Sequence, residues 1–297
     1  MAPYDVNGRT VLITGAARGI GAESARRLHA KGANVALVGL EPDRMEALAA
    51  ELGERVAVFE ADTTDVGALE RAVAGTVERF GGIDVAIANA GIQMSGAVAT
   101  MPERAVERTL EVNLLGVWRT DRAVLPQITA RGGYLLNVAS LATATHAPLM
   151  AAYAASKAGV EAFTNSLRVE TSVTRARVGC AYFGFIDTDI VRGSFSQPSN
   201  AQMRAMLPPF MRTPAPLSVA IDAIEKGIEK RSARLWAPRY VGPALALRGV
   251  LQPLSEWQTM RMGRKQLAEA LRLADPATGA DRAEDELLGA AGITAGR

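Results

Sequence analysis

The sequence has few residues that serve disulfide or metal chemistry. Cys180 is the only cysteine, and His29 and His146 are the only histidines. A single cysteine excludes both an intrachain disulfide and a cysteine-cluster zinc site, and neither histidine has neighbours of metal-ligating type. Because Cys180 lies in an apolar stretch, we expect a buried, inert thiol rather than a nucleophile, and we expect no metal site.

An excess of charge and long apolar runs are also missing. The 33 basic and 31 acidic residues leave a formal net charge of +2, which is too weak a field to recruit nucleic acid. No stretch approaches the ~18 uninterrupted apolar residues of a membrane span. The first apolar run, 11–13, has the length of a strand rather than of a secretion signal. We therefore expect a soluble, cytoplasmic protein with no nucleic-acid partner.

Short β-type runs alternate with longer segments of helical spacing. This alternation predicts βαβ units, and hence a single doubly wound parallel sheet of the α/β class with helices on both faces. The strands are almost continuously apolar, which fits burial on both sides. The predicted strands are Thr10–Thr14, Asn34–Leu40, Val56–Glu60, Val85–Ala88, Tyr134–Val138 and Val178–Tyr182. The predicted helices are Ala22–Ala30, Pro42–Leu52, Val66–Phe80, Glu103–Leu125, Ala151–Val173 and Ala220–Lys230.

The first predicted strand leads through a glycine-rich turn directly into a helix. The turn reads Thr14-Gly15-Ala16-Ala17-Arg18-Gly19-Ile20-Gly21. Glycines let phosphate oxygens approach the backbone, and the helix N-terminus presents free N–H groups at the positive end of its dipole. The pattern favours a pyrophosphate site over an ordinary βα turn, with these binding residues: Gly15, Arg18, Gly19, Ile20 and Gly21.

Two other polar sequences directly follow predicted strands. Asp62 comes after the third strand, where its carboxylate either accepts a hydrogen bond from an adenine amino group or caps the next helix. Asn89, Ala90 and Gly91 follow the fourth strand, where the glycine permits close backbone approach and the asparagine can fix the turn. Each could be a simple turn. Together they predict a dinucleotide site, because open α/β sheets bind ligands at the carboxyl ends of their strands.

Tyr153 and Lys157 lie one helical turn apart on the same face of a predicted helix. A free tyrosine has a pKa of about 10 and is a poor base near neutrality. An ammonium at ~4 Å would favour the phenolate by about 4 kcal/mol at an effective dielectric constant of ~20, which lowers the pKa of the phenol by roughly three units. The alternative is an amphipathic helix with a snorkelling lysine. Ser140, just beyond the fifth strand, supplies a hydroxyl that could donate to a substrate oxygen or only support a turn.

These residues together resemble the short-chain dehydrogenase/reductase family over roughly residues 7–235. The matching positions occur in the family's order and spacing: Thr14–Gly21, Asp62, Asn89–Gly91, Asn113, Ser140, Tyr153 and Lys157. The resemblance implies about seven parallel strands. It also implies that Tyr153 is the general acid/base, that Lys157 lowers its pKa and binds the nicotinamide ribose, and that Ser140 polarises the substrate oxygen.

The same resemblance assigns further roles. It implies that Asn113 holds a water in a proton relay, although a polar residue within a helix is the simpler interpretation. It implies that Thr188 binds the nicotinamide carboxamide, with backbone help near Ile186. Two positions depart from the family pattern: Ala88 replaces a frequent asparagine, and Phe183 replaces the usual proline before Gly184. The second departure concerns the course of the chain beside the nicotinamide.

The sequence does not decide between the two nicotinamide dinucleotides. Gly39 stands where an acidic residue would bind the ribose hydroxyls and repel a 2′-phosphate. Arg18 could meet a 2′-phosphate, and Glu41 could instead bind the ribose or be solvated. The arginine tips the expectation slightly toward NADP, with NAD as the alternative.

The C-terminal third has no clear period. Loop 185–216 is expected to cover the substrate, and it contains apolar side chains that either favour a lipophilic substrate or pack the loop onto the domain: Phe195, Met203, Met206, Leu207, Phe210 and Met211. We predict a catalytic domain over 1–235 and an extension over 236–297. The extension packs on its own domain or a partner subunit, or forms a substrate lid or a peripheral membrane patch. Its tail, from about Asp275, is expected to be poorly ordered.

The residues predict an NAD(P)-dependent oxidoreductase that interconverts a secondary alcohol and a ketone. The first alternative is a catalytically silent dinucleotide-binding regulator or scaffold, which would not need Ser140, Tyr153 and Lys157. The second is epimerisation or dehydration of a nucleotide sugar, which the apolar loop disfavours. The resemblance also implies a homo-oligomer built through 103–125 and 151–173, although Trp118 and Phe163 in these helices could equally cover the sheet.

Overall fold

A computed structural model describes residues 3–279 and residue 281. Seven strands form one parallel sheet in the order β3-β2-β1-β4-β5-β6-β7, which confirms the predicted doubly wound α/β fold. The strands are β1 (Thr10–Thr14), β2 (Asn34–Gly39), β3 (Val56–Glu60), β4 (Val85–Ala88), β5 (Tyr134–Ser140), β6 (Arg177–Phe183) and β7 (Arg234–Ala237).

Helices cover both faces of the sheet. The first six are α1 (Gly19–Ala30), α2 (Pro42–Leu52), α3 (Val66–Phe80), α4 (Glu103–Leu110), α5 (Gly116–Ala130) and α6 (Ala151–Glu170). The others are α7 (Asp189–Ser196), α8 (Pro198–Ala205), α9 (Leu217–Lys230), α10 (Val241–Ala246), α11 (Arg248–Arg261) and α12 (Arg264–Leu273). Among the residues described, no helix is both long and apolar enough to cross a bilayer.

Two apolar layers hold the helices against the sheet. Successive strand residues point to opposite faces, so Ile13 and Leu136 join one layer while Leu12 and Leu135 join the other. The first layer includes side chains of α1, α2 and α9, and the second includes side chains of α3 and α5. The strand order reverses between β1 and β4, so a crevice opens at the carboxyl ends of these strands.

The structure differs from the sequence prediction at several element ends. Helix α1 begins at Gly19 rather than Ala22, so the glycine turn itself enters the helix. The single helix predicted over Glu103–Leu125 is α4 and α5, joined by a π-helical turn over Glu111–Leu115. Strand β7 was not predicted from the residues, because its four residues are too short to show alternation and only two of them are buried.

Within the described part of the extension, three helices follow β7. The predicted domain boundary after residue 235 lies inside this strand. Helix α12 packs on α8, where Ala270, Ala274 and Met203 share a small apolar cluster with Ala97 and Leu149. Most of the tail that the sequence predicts to be poorly ordered lies outside the described residues.

Candidate active site

A cavity of about 610 Å³ lies at the carboxyl ends of β1, β4 and β5. Its volume is in the range of small-molecule and cofactor sites. Twelve of the predicted site residues line it: Gly15, Arg18, Gly19, Ile20, Asp62, Asn89, Ala90, Gly91, Tyr153, Lys157, Ile186 and Thr188. The other three, Gly21, Asn113 and Ser140, support residues of the wall. The structure therefore brings the predicted set together in one place.

The glycine turn packs too closely for side chains. Gly15 has a φ of +65°, and a Cβ atom there would lie 2.8 Å from the Cα atom of Ala90. A Cβ atom on Gly21 would collide with the carbonyl group of Gly15. No side chain caps the N-terminus of α1, so its first N–H groups remain available. This geometry fits a pyrophosphate held by backbone donors.

Asn89 fixes the loop after β4 against the glycine turn. Its side-chain amide donates to the carbonyl oxygens of Thr14, at 3.1 Å, and Gly15, at 3.2 Å. The Thr14 hydroxyl in turn accepts the backbone N–H groups of Asn89 and Ala90 at 3.1 and 3.2 Å. The sequence analysis assigned no site role to Thr14, although its place at the end of β1, before the turn, could have suggested one.

Lys157 is buried in the cavity wall, with 4% of its surface exposed. Its ammonium group donates to the carbonyl oxygen of Val138 at 2.9 Å, and burial lowers its pKa to about 8. The Nζ atom lies 5.9 Å from the centroid of the Tyr153 ring, one helical turn away on α6. A buried ammonium needs acceptors, and the strand carbonyl supplies one.

Gly91 leaves room for that ammonium group. A Cβ atom at this position would lie 3.5 Å from Lys157 Nζ and 3.1 Å from Asn113 Oδ1. The backbone after β4 therefore approaches both polar groups closely, as the sequence predicts for this glycine.

The phenol of Tyr153 is paired with the hydroxyl of Ser140. Burial raises the pKa of Tyr153, and the hydrogen bond with Ser140 acts in the opposite direction. The Ser140 hydroxyl also accepts the N–H of Ala142 at 3.1 Å, which fixes it at the end of β5. The lowered phenol pKa expected from Lys157 is absent from this arrangement, and the shift has the opposite sign.

Asn113 lies in the π-helical turn and is fully buried. Its amide accepts the N–H of Ile92 and donates to the Ile92 carbonyl, both at 2.8 Å. The same amide donates to the Ser156 hydroxyl at 3.2 Å, and that hydroxyl donates to the Tyr153 carbonyl at 2.7 Å. The asparagine thus joins the loop after β4 to the helix that carries Tyr153. The sequence analysis missed Ser156, which lies next to Lys157.

Arg18 is paired with Glu41 at the far end of the cavity. Its Nε atom donates to the carboxylate at 2.7 Å, and its Nη2 atom bonds the other oxygen. Asp189 lies 3.8 Å from the same guanidinium group. The hydrogen bond with Glu41 raises the pKa of Arg18. From the sequence, Arg18 and Glu41 are alternative partners of the adenosine ribose, whereas the structure pairs the two side chains with each other.

Both carboxylate oxygens of Asp62 accept hydrogen bonds. One accepts the N–H of Thr64 at 2.8 Å, and the other accepts Arg108 at 3.0 Å. Burial alone would raise the pKa of this carboxyl group, but the two hydrogen bonds outweigh it and the pKa is lowered. Arg108 also lines the cavity. It was missed because it lies on α4, far along the chain from any strand end.

Helices α7 and α8 cover the cavity opposite the sheet. Gln93 donates to the Ser194 hydroxyl at 2.7 Å, and Asn200 donates to the Ser95 hydroxyl at 3.0 Å. Asp281 lines the cavity and accepts the N–H of Ser199 at 3.1 Å. Polar contacts therefore hold this cover against the loop that follows β4.

The six apolar side chains of loop 185–216 that the sequence offers as substrate contacts pack elsewhere. None of the six that were considered as substrate contacts belongs to the cavity wall. Phe195 lies 5.0 Å from Phe185, and Phe210 lies 5.4 Å from Tyr240, measured between ring centroids. These contacts agree with the alternative interpretation, in which the loop packs onto the domain.

Comparisons with known proteins agree with this geometry. A family model described as short chain dehydrogenase matches residues 9–199. The chain is 38% identical over 189 residues to "Nodulation protein G" of Rhizobium sp. (strain N33), covering 62% of this chain and 76% of that protein. It is 36% identical over 194 residues to "Trans-4-hydroxycyclohexanecarboxylate dehydrogenase" of Sinomonas cyclohexanicum, covering 62% and 75%. A solved structure of 3-ketoacyl-(acyl-carrier-protein) reductase from Brucella melitensis, complexed with NADH, matches with a TM-score of 0.71 and 25% identity, covering 78% of this chain and 97% of that one.

Proposed function

Because this chain belongs to the short-chain dehydrogenase/reductase family, whose enzymes are NAD(P)-dependent oxidoreductases acting on CH–OH groups, we propose that it interconverts a secondary alcohol and a ketone with Tyr153 as the general acid/base. One observation carries the proposal: the phenol of Tyr153, hydrogen-bonded to the Ser140 hydroxyl, lines the cavity whose other end is the open N-terminus of α1. The similar trans-4-hydroxycyclohexanecarboxylate dehydrogenase and the ketoacyl reductase support this reaction class.

The residues present fit a nicotinamide dinucleotide. Gly15, Gly19 and Gly91 provide backbone that a phosphate or ring can approach, and the uncapped α1 terminus provides donors. When bound, the dinucleotide supplies or accepts the hydride. Lys157 can donate to a ribose hydroxyl, and Thr188, which lies over Gly19, can bind the carboxamide.

The side chains of Ser140 and Tyr153 define the path of the proton. During ketone reduction, Ser140 donates a hydrogen bond to the carbonyl oxygen, and Tyr153 transfers its proton to that oxygen as the new C–H bond forms. A raised phenol pKa keeps the proton on Tyr153 near neutrality, so the residue is protonated when ketone reduction begins. Oxidation reverses the transfer and needs a lower phenol pKa. The Lys157 ammonium in the same wall can contribute to that lowering through space.

We assign Asn113 a positioning role. Its amide holds the backbone of Ile92 and, through Ser156, the first turn of α6. Loss of this side chain would loosen both walls of the reaction centre. A water in a proton relay, which the family resemblance implies, is compatible with this role.

The Arg18–Glu41 pair leads us to propose NAD(H) as the better cofactor, although the sequence alone gave a slight preference for NADP. A 2′-phosphate would have to displace Glu41 from Arg18 and remain close to two carboxylates, those of Glu41 and Asp189. A ribose diol can instead donate to Glu41. The NADH bound in the similar ketoacyl reductase agrees with this choice.

The proposed substrate has an apolar body and a polar end. Met94, Phe183 and Ile190 give the cavity wall apolar surface, whereas Gln93 and Ser194 add polar groups. This wall, rather than the six loop side chains that pack elsewhere, supports a lipophilic substrate.

We also propose a homo-oligomer. Trp118 on α5 and Phe163 on α6 are 39% and 42% exposed, which leaves apolar surface on the two helices that the family resemblance assigns to subunit contacts.

A screen of the purified protein tests the proposed function. NADH and NADPH are offered separately with linear and cyclic ketones while nicotinamide absorbance is followed. We expect ketone-dependent oxidation that is faster with NADH. Tight dinucleotide binding, seen by fluorescence, without turnover of any ketone or secondary alcohol would favour the silent binding protein instead.

A further inference from the structure

Helix α11 exposes its apolar side to solvent. None of its residues is buried. Leu247, the N-cap residue of α11, is 55% exposed, and Val250, Leu254 and Trp257 within the helix are 67%, 54% and 50% exposed. These four residues, which we call the α11 patch, recur at helical spacing and so form one stripe. A stripe of this kind normally faces the core of a domain.

The polar side of α11 faces the domain. Arg248 donates to Glu161 of α6 at 2.8 Å, and the Gln252 side chain accepts the N–H of His146 at 2.7 Å. With 100° of rotation per residue, these two positions lie on the face opposite the α11 patch. Glu256, which is hydrogen-bonded to Gln252, also lies away from the centre of the stripe. The helix is therefore amphipathic with its apolar face outward.

Basic residues surround the α11 patch. Segment 239–265 contains five basic residues and one acidic residue, Glu256. Arg261 lies one turn beyond Trp257 on the same stripe, and Arg264 and Lys265 follow in the first turn of α12. All three are exposed. An apolar stripe with aromatic and basic flanks has the chemistry of an interfacial helix.

We propose that the α11 patch docks this protein on an anionic lipid surface. Leu254 and Val250 enter the boundary of the acyl chains, Trp257 lies at headgroup level, and Arg261 binds lipid phosphate. A second copy of the chain is the competing occupant. In a two-fold contact, however, the patch would pack on its own copy, and one interface would gather the basic residues of both chains. An anionic surface instead neutralises them.

Vesicle sedimentation with the full-length protein tests this proposal. Vesicles of phosphatidylcholine alone are compared with vesicles that also contain phosphatidylserine. We expect binding to the anionic vesicles that weakens as salt is added. The double substitution R261Q/K265Q should lower that binding about fivefold per charge removed. The double substitution L254S/W257S should abolish it.

Matched controls test whether binding depends on the α11 patch rather than on exposed apolar side chains in general. V98S and V173S alter side chains that are 82% and 91% exposed elsewhere on the chain, and they should bind vesicles as the unaltered protein does. Circular dichroism melting checks that every variant folds. The proposal is wrong if the unaltered protein does not bind anionic vesicles, or if L254S/W257S binds them as well as the unaltered protein does. It is also wrong if that variant only changes the subunit number seen by light scattering, because the patch would then be a contact between copies.

Discussion

The cofactor end of the sheet and helix α11 use the same kinds of residue in opposite ways. Around β1 and β4, polar side chains such as Asn89 and Thr14 hold backbone to backbone, and apolar residues are buried. In α11, polar side chains hold the helix to the domain and apolar residues remain exposed.

The two regions therefore contribute differently to the molecule. The residues around β1 and β4 contribute to folding stability, whereas α11 presents an exposed apolar surface. Strands β1, β4 and β5 are buried on both faces, so removal of a methyl group there leaves a cavity. Helix α11 buries nothing fully, so its apolar residues can change with little effect on folding. We infer that the first region determines the fold and the chemistry, whereas the second offers a contact.

Truncation of one leucine in each region should give the largest difference. Leu136 of β5 is completely buried, and L136A should lower the free energy of unfolding by about 2–5 kcal/mol. L254A, in the α11 patch, should change it by less than about 0.5 kcal/mol. Urea unfolding measures both. Equal losses would mean that α11 is packed in solution.

Replacement of Lys157 should stabilise the folded protein while removing the ammonium group that we propose binds the cofactor ribose. Its pKa in the folded protein is about 8, below the ordinary 10.5, so burial of the charge costs free energy that is fully present below pH 8. That cost is relieved as pH rises from about 8 toward about 10.5, because the folded state loses its proton first. Near neutrality, K157M should therefore unfold at a higher urea concentration, and its free energy of unfolding should be greater by up to about 3 kcal/mol. This gain should disappear at high pH.

Urea unfolding of the protein without cofactor, near neutrality and near pH 10, checks this prediction for both proteins. K157R, which keeps a buried charge, is the control and should show no gain. A K157M protein that is less stable than the unaltered chain at both pH values would contradict the assignment of a buried, strained charge.

Substitution of Glu41 should give a smaller effect that is confined to cofactor choice. E41Q removes the carboxylate that engages Arg18 and should improve kcat/KM with NADPH relative to NADH by about tenfold. D43N, on the next helix, is the matched control and should leave the ratio unchanged. R18A should then reduce use of NADPH. If E41Q leaves the ratio of the two kcat/KM values unchanged, the Arg18–Glu41 pair does not determine cofactor choice.

Local patterns in the sequence are enough to predict much of the fold and site. Strand β1 and its glycine turn are adjacent in the chain, so period and turn chemistry identify them together. Tyr153 and Lys157 are one helical turn apart, and helix geometry alone places them on one face. Asn113, Ser140 and Asp62 were located through the resemblance or through their place at strand ends.

Features that depend on the three-dimensional path could not be predicted. The Arg18–Glu41 pair joins residues on different βα units, and neither residue indicates the other. The partner of Lys157 is a backbone carbonyl, which no side-chain pattern reveals. Strand β7 forms because β6 offers an edge to a short segment. The outward face of α11 has the same period as a buried face, so the sequence could not distinguish them.

The central claim is that the phenol of Tyr153 transfers the proton while hydride moves in the adjoining cavity. The direct measurement is ketone reduction by Y153F, together with NADH binding followed by fluorescence. We expect binding to be unchanged and the turnover rate to fall by about 10²–10⁴-fold. Turnover equal to that of the unaltered protein, with NADH bound normally, would contradict the account.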